Sequence, residues 1–230
     1  MATAVVIGIA LRRIAVERTN ATARTVLMGI AGAFIFAAQM FNFPVAAGTS
    51  GHLLGGVLAG VLLGPWAGSI VMATVIGIQA LLFQDGGLLV LGANIFNMGV
   101  IGTLAGSLVA RGTSEVFGGG RRGQLVGVGF AAWLSVMAAA GFTTLQLGIS
   151  GTTDIGIGLP AMLGTHALIG VGEALITVGA IGFISASAPD IVSARTSERG
   201  ASAPRRIALG SVIALITVSL AGLFASASPD

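Results

Sequence analysis

"HLLGGVLAGVLLGPWAGSIVMATVIGIQALLF", residues 52–83, contains no Asp, Glu, Lys or Arg over 32 residues. A helix needs about 20 apolar residues to cross a hydrocarbon core of about 30 Å. The run divides into a segment over 65–83 that is long enough and a segment over 52–64 that is marginal. We expect the marginal helix to start below the membrane surface, after a re-entrant loop that is buried in protein.

The rest of the chain has the same apolar character. Its 230 residues are 55% hydrophobic and 8% charged, and the mean hydropathy is +1.00. The sequence therefore predicts an all-α polytopic membrane protein with about seven to eight transmembrane helices. The first segment is too short to span and looks truncated. The predicted segments are 2–11, 25–43, 52–64, 65–83, 88–110, 123–146, 160–187 and 206–226.

Two missing residue types exclude whole classes of site. Without cysteine there is no disulfide framework and no thiolate metal site. All eleven basic residues are arginine, so the chain has no lysine for a Walker A loop and does not hydrolyse ATP in that way. The arginines lie in separate loops rather than on one basic face, which argues against nucleic-acid binding.

The arginines also predict the orientation in the membrane. They cluster after the first, fifth and seventh segments, and the positive-inside rule makes those three loops cytoplasmic. Residues 44–51, the turn at 84–87, the loop at 147–159 and the C-terminus then face the outside. We therefore expect a multi-pass membrane protein in this orientation. The arginines used are 12, 13, 18 and 24, then 111, 121 and 122, then 195, 199, 205 and 206.

Small residues recur every four positions on two predicted helices. Gly56, Gly60 and Gly64 form one stripe, and the other consists of Gly29, Ala33 and Ala37. Such stripes let helices approach closely. Each stripe is either a packing face inside the bundle or a docking face for another membrane protein.

Polar residues within apolar helices are costly and are therefore candidates for function. Gln39 and Asn42 are predicted to end the second helix, whereas Asn94 and Asn97 share one face of a later helix. His166 and Glu173 are seven residues apart on another helix and share a face. We expect the amides to bond neighbouring helices and His166 to pair with Glu173 or with a backbone carbonyl. An ion-coupled secondary transporter that uses Glu173 is one alternative function.

His52 has a different predicted environment. Residues 48–51, "GTSG", indicate a turn in which Ser50 caps a helix that begins at His52. The positive end of the helix dipole would keep the imidazole neutral, which is the form that binds a metal. The alternative is a structural histidine, because one imidazole alone does not hold a metal tightly.

Three stretches resemble the CbiM/NikM family, the substrate-binding membrane components of cobalt and nickel energy-coupling-factor (ECF) transporters. They are "FAAQMFNFPVAAGTSGHLLGGVLAGVLLGPWA" (36–67), "LLFQDGGLLVLGANIFNMGVIG" (81–102) and "GTHALIGVGEALIT" (164–177). The resemblance implies uptake of Ni²⁺ or Co²⁺ by a protein that is not an enzyme and carries no cofactor. The implied partners are a CbiQ/NikQ-like coupling protein and CbiO/NikO-like ATPases of the ABC type.

The resemblance also implies a ligand set. Family members hold the ion with the N-terminal amine, the backbone nitrogen and imidazole of a histidine at position two, and the histidine that corresponds to His52. This chain begins Met1-Ala2-Thr3 where the family has Met-His-Ile-x-Asp-Gly. We expect that the sequence starts at an internal methionine or has lost an outer loop. Otherwise either the protein is a nonfunctional paralogue, or second-shell or substitute ligands come from Asn42, Ser50, Asn94, Asn97 and His166.

The same resemblance suggests three regions along the chain. Residues 1–190 form the expected metal-binding membrane domain, and residues 191–205 the expected cytoplasmic linker. Residues 206–230 are similar to the start of a NikN-like extension with one more transmembrane helix.

A second alternative comes from the short pattern Gly-Thr-Ser-Gly. It also fits the Gly-x-Ser-Gly pattern of rhomboid-like intramembrane proteases, with Ser50 as nucleophile and His166 as base. Such a protease would place Ser50 within hydrogen-bond reach of His166 and would leave the three longer motifs unexplained.

Overall fold

The computed structural model describes residues 2–16, 21–45 and 49–188. These residues form seven helical segments and one two-stranded antiparallel hairpin. The hairpin lies between the second and third helices. The helices are α1 (Ala2–Val16), α2 (Ala21–Gln39), α3 (Gly56–Leu63), α4 (Pro65–Phe83), α5 (Leu91–Val116), α6 (Gly120–Ile149) and α7 (Ile155–Ser187), and the strands are β1 (Asn42–Val45) and β2 (Thr49–His52).

Five of these helices are long and apolar enough to cross a membrane, counted over the described residues: α2, α4, α5, α6 and α7. The prediction of an all-α polytopic membrane protein is confirmed. Helix α1 has 15 residues and α3 has 8, so at 1.5 Å per residue neither reaches across a core of about 30 Å. The predicted linker at 191–205 and the apolar segment at 206–226 lie outside the described residues.

Gly64 and Pro65 make the sharp turn between α3 and α4. Gly64 has φ 84 and ψ 161, which is a conformation that residues with a Cβ avoid, and Pro65 then occupies the first turn of α4. Because proline is already set for a helix start, α4 begins immediately. The short helix α3 and the long helix α4 therefore pack side by side.

Helix α3 lies at the centre of the bundle. Val57 and Ala59 are fully buried, and α3 contacts α2, α4, α5, α6 and α7. Seven of its eight residues are buried. This burial explains how so short a helix, with irregular backbone before it, is accommodated in a membrane protein.

The two stripes of small residues have different environments. A Cβ added to Gly56 would lie 2.6 Å from the Met98 carbonyl oxygen, and one added to Gly60 would lie 2.7 Å from the Thr103 oxygen. These glycines therefore let α3 and α5 touch backbone to backbone. By contrast, nothing lies within 4 Å of a Cβ added to Gly29 on α2. The stripe on α3 is a packing face, and the stripe on α2 is exposed.

Large apolar side chains point outward from α2 and α7. Examples are Val26, Ile30 and Phe34 on α2 and Leu175 and Phe183 on α7, each between 46% and 71% exposed. A water-soluble protein rarely exposes so much contiguous apolar surface. The outward faces of these helices are therefore suited to lipid.

Candidate metal-binding site

The segment around His52 is a β-hairpin. Asn42 lies opposite His52 across the hairpin, and Val45 lies opposite Thr49. The prediction that a helix begins at His52 with Ser50 as its cap is wrong, since α3 begins at Gly56 and its N-cap is Gly55, with φ 74. The prediction that Asn42 ends the second helix is also wrong, because α2 ends at Gln39. The helix-dipole argument therefore does not apply to His52.

The imidazole of His52 is nevertheless held in a defined tautomer. Its Nδ1 lies 2.7 Å from the carbonyl oxygen of Leu53. A carbonyl oxygen only accepts hydrogen bonds, so we assign Nδ1 as the protonated donor. Nε2 of the half-buried ring then carries the lone pair.

His166 packs against the same strand. Its Nδ1 donates to the Met162 carbonyl oxygen at 2.8 Å, so the lone pair is again on Nε2. A Cβ added to Gly51 would lie 2.9 Å from that Nε2, which places the ring directly against the residue before His52. The two imidazoles are also close enough to interact electrostatically. Both histidines of the chain therefore belong to one region, at the contact between the hairpin and α7.

Glu173 does not pair with His166; of the two partners predicted for His166, the backbone carbonyl is the one confirmed, at Met162. The Glu173 carboxylate accepts hydrogen bonds from the backbone N–H groups of Leu54 at 2.9 Å and Gly55 at 2.7 Å. The side chain is only 3% exposed. Two amide donors offset part of the loss of water around the carboxylate. Glu173 thus binds the segment that joins the hairpin to α3.

Gln39 holds that segment from α2. Its Nε2 donates to the carbonyl oxygen of Leu54 at 2.5 Å, and the side chain is fully buried. Sequence reasoning missed this contact. The apolar surroundings of Gln39 and Glu173 indicated that both need partners, but the partners are backbone groups 15 and 119 residues away. No local pattern identifies such partners.

The remaining candidate residues are spread over different places. Asn94 donates to the Gly86 oxygen at 3.4 Å. Asn97 is buried, and its amide exchanges hydrogen bonds with that of Gln146 at 2.9 and 3.1 Å. Its role is therefore to join α5 to α6, as expected for interhelical amides. The backbone of Ser50 is part of β2, but its side chain lies outside the described residues.

The described residues bring few potential metal ligands close together. Over 2–16, 21–45 and 49–188, no three His, Asp or Glu side chains come together in a group able to hold a metal ion. What the described part presents is two neighbouring imidazoles with free Nε2 atoms. Imidazole nitrogen suits Ni²⁺ and Co²⁺, whereas Mg²⁺ and Ca²⁺ prefer oxygen.

A family model described as the cobalt uptake substrate-specific transmembrane region matches residues 1–191. The chain belongs to the CbiM family. It is 39% identical over 218 residues to a protein of Archaeoglobus fulgidus described as a fused nickel transport protein NikMN, covering 93% of this chain and 69% of that one. It is 35% identical to the cobalt transport protein CbiM of Sorangium cellulosum, covering 72% of this chain and 75% of that one.

The comparison with solved structures agrees with the membership of this chain in the CbiM family. A crystal structure described as a transition metal transporter matches with a TM-score of 0.74 and 29% identity, covering 87% of this chain and 92% of the other. The relatives are transport proteins, so this chain is a transmembrane metal-transport protein and not an enzyme. The protease hypothesis for Ser50 and His166 is therefore wrong, because the family model that matches residues 1–191 and the relatives are those of transport proteins.

Proposed function

We propose that this protein is the substrate-binding component of an ECF-type importer for Ni²⁺ or Co²⁺. The observation that carries the proposal is His52 in its hairpin, with Nδ1 donating to the Leu53 carbonyl and Nε2 free. An orienting hydrogen bond on the other ring nitrogen is typical of metal-binding histidines. The names of the relatives, nickel transport protein and cobalt transport protein, support the same class of ion.

His52 is the proposed metal ligand, and His166 is the proposed second imidazole near the ion. The basis for His166 is its free Nε2 against Gly51. Asn42 lies opposite His52 across the hairpin, where its amide oxygen is a substitute ligand. A site made mainly of nitrogen favours Ni²⁺ and Co²⁺ over the more abundant oxygen-seeking divalent cations.

Energy for import is proposed to come from partner proteins. The chain has no lysine and hence no Walker A loop, so ATP would be hydrolysed by separate ABC-type subunits through a coupling protein. The exposed stripe of Gly29 and Ala33 on α2 borders an apolar groove of about 510 Å³ against α4. Small residues permit close helix contact, and we assign this groove to the coupling protein.

The proposed location is the plasma membrane, with the hairpin facing the outside. Arginine-rich loops would then lie in the cytoplasm, in agreement with the positive-inside rule. Residues 191–205 are proposed as a cytoplasmic linker and residues 206–230 as the start of a NikN-like region.

Radioactive nickel and cobalt uptake in intact cells tests the proposed function. The protein is expressed in its natural reading frame with its coupling protein and ATPases, and the controls lack either the ATPases or the His52 imidazole (His52→Ala). We expect uptake above background only with the complete system. Undiminished uptake without the ATPases would overturn the ECF proposal and favour an ion-coupled transporter.

A further inference from the structure

Two consecutive peptide groups lie between the hairpin and α3, and both have the same pattern of contacts. In the first, the Leu53 carbonyl accepts from His52 Nδ1 at 2.7 Å while the Leu54 N–H donates to Glu173 Oε2 at 2.9 Å. In the second, the Leu54 carbonyl accepts from Gln39 Nε2 at 2.5 Å while the Gly55 N–H donates to Glu173 Oε1 at 2.7 Å. Each peptide thus joins a side-chain donor to one carboxylate oxygen.

The first peptide connects Glu173 to the imidazole. A carboxylate on a peptide N–H polarises the whole amide, and the carbonyl oxygen becomes a stronger acceptor. The hydrogen bond from His52 Nδ1 is then strengthened, which holds the imidazole in one orientation. In many metal sites a carboxylate bonds the histidine directly and has these effects. In this protein the Leu53–Leu54 peptide lies between the carboxylate of Glu173 and the imidazole of His52.

The second peptide anchors this path of hydrogen bonds, from Glu173 through the backbone to His52, between two helices. Gln39 comes from α2 and Glu173 from α7, so the Leu54–Gly55 peptide is held between two helices. Gly55 has φ 74, and a Cβ there would lie 2.7 Å from Ile35. The chain therefore has little freedom to shift at this point, and the orientation of His52 depends on the two helices that hold it.

We propose that Glu173 is a positioning residue of the metal site, which acts on His52 through the Leu53–Leu54 peptide and is assisted by Gln39. This inference rests on the proposed role of His52 as ligand. The carboxylate orients the imidazole and raises its affinity for the ion without touching the ion.

Glu173→Gln is the decisive variant. It keeps the length of the side chain and one acceptor oxygen but removes the charge and one of the two backbone contacts. Glu173→Ala removes both contacts, and Gln39→Met removes the bond to Leu54. Thr144→Val is the matched control, since it replaces a buried side chain whose hydroxyl bonds only the Ala140 carbonyl within α6.

The first measurement is amide hydrogen exchange of residues 49–58 in the metal-free purified protein. We expect exchange of the Leu54 and Gly55 amides to speed up at least about tenfold in Glu173→Ala, less in Glu173→Gln, and not in Thr144→Val. Unchanged exchange in both Glu173 variants would overturn the proposal. This result does not depend on whether the protein binds metal.

The second measurement is the Ni²⁺ dissociation constant together with the visible absorption spectrum of the bound ion. Loss of an outer-shell partner weakens metal binding by about tenfold to a hundredfold in known sites, and we expect Glu173→Ala to fall in that range with a shifted spectrum. A merely structural role would lower the folded fraction and leave the affinity and spectrum of the folded protein unchanged, and that outcome contradicts the proposal. If His52→Ala binds Ni²⁺ as tightly as the wild type, the proposed ligand is wrong, while the exchange result still decides the contact of Glu173 with the backbone.

Discussion

The hydrogen-bond partners of the polar candidate residues in the described part of the chain divide these residues by role. Asn97 bonds Gln146 and Thr143 and so joins α5 to α6. His52, Gln39 and Glu173 instead bond the backbone around the hairpin. The sequence predicted that these residues are unusual, because polar groups in apolar helices are costly. It predicted the interhelical role of Asn97 but not the roles of Gln39 and Glu173, since their partners are backbone groups distant in the chain.

Asn97→Leu should destabilise the fold without affecting the metal site. The variant leaves Gln146 without its amide partner, and interhelical hydrogen bonds of this kind contribute about 0.6 to 2 kcal/mol in membrane proteins. For a chain of this size such a loss corresponds to a decrease of about 1–8 °C in Tm, measured by thermal unfolding in detergent. Asn94→Leu is the control because Asn94 has one long contact with Gly86. Equal melting temperatures of the two variants would contradict the role given to Asn97.

At the scale of elements, hydropathy predicted the helices well but missed the hairpin. Segments 65–83, 123–146 and 160–187 agree with α4, α6 and α7 within a few residues, because length and apolar composition alone define a span. Residues 42–52 combine Pro44 and several small residues with polar ones, a mixture that also fits a turn and a helix cap. In the structure this segment is a pair of strands that contacts α7, and a contact between residues so far apart in the chain is not visible in the sequence.

The packing of α3 against α5 gives a matched pair of glycine variants. Gly60→Ala places a methyl group 2.7 Å from the Thr103 carbonyl, so the two helices must separate, and overpacking of this kind costs about 1–3 kcal/mol. Gly29→Ala adds the same methyl group in open space on α2, where alanine favours the helix. We expect the first variant to lower Tm and the second to leave it unchanged or raise it. A Tm for Gly60→Ala equal to that of the wild type would show that α3 is not tightly packed.

At the scale of the whole molecule, the protein is a bundle of membrane helices built around a short central helix. Five other helices contact helix α3, and the hairpin before it packs against α7. Irregular backbone at this depth is tolerated only where protein covers it. Within the bundle, α2 and α7 hold the segment that follows the histidine-bearing hairpin.

The most direct test of this account is the metal content of the purified protein after incubation with Ni²⁺, with His52→Ala and Thr144→Val measured beside the wild type. The account predicts that wild type and Thr144→Val retain Ni²⁺ equally and that His52→Ala loses most of it, because the only side chain removed at the hairpin is the ligand. Equal Ni²⁺ in all three proteins would contradict the assignment of His52 as the metal ligand.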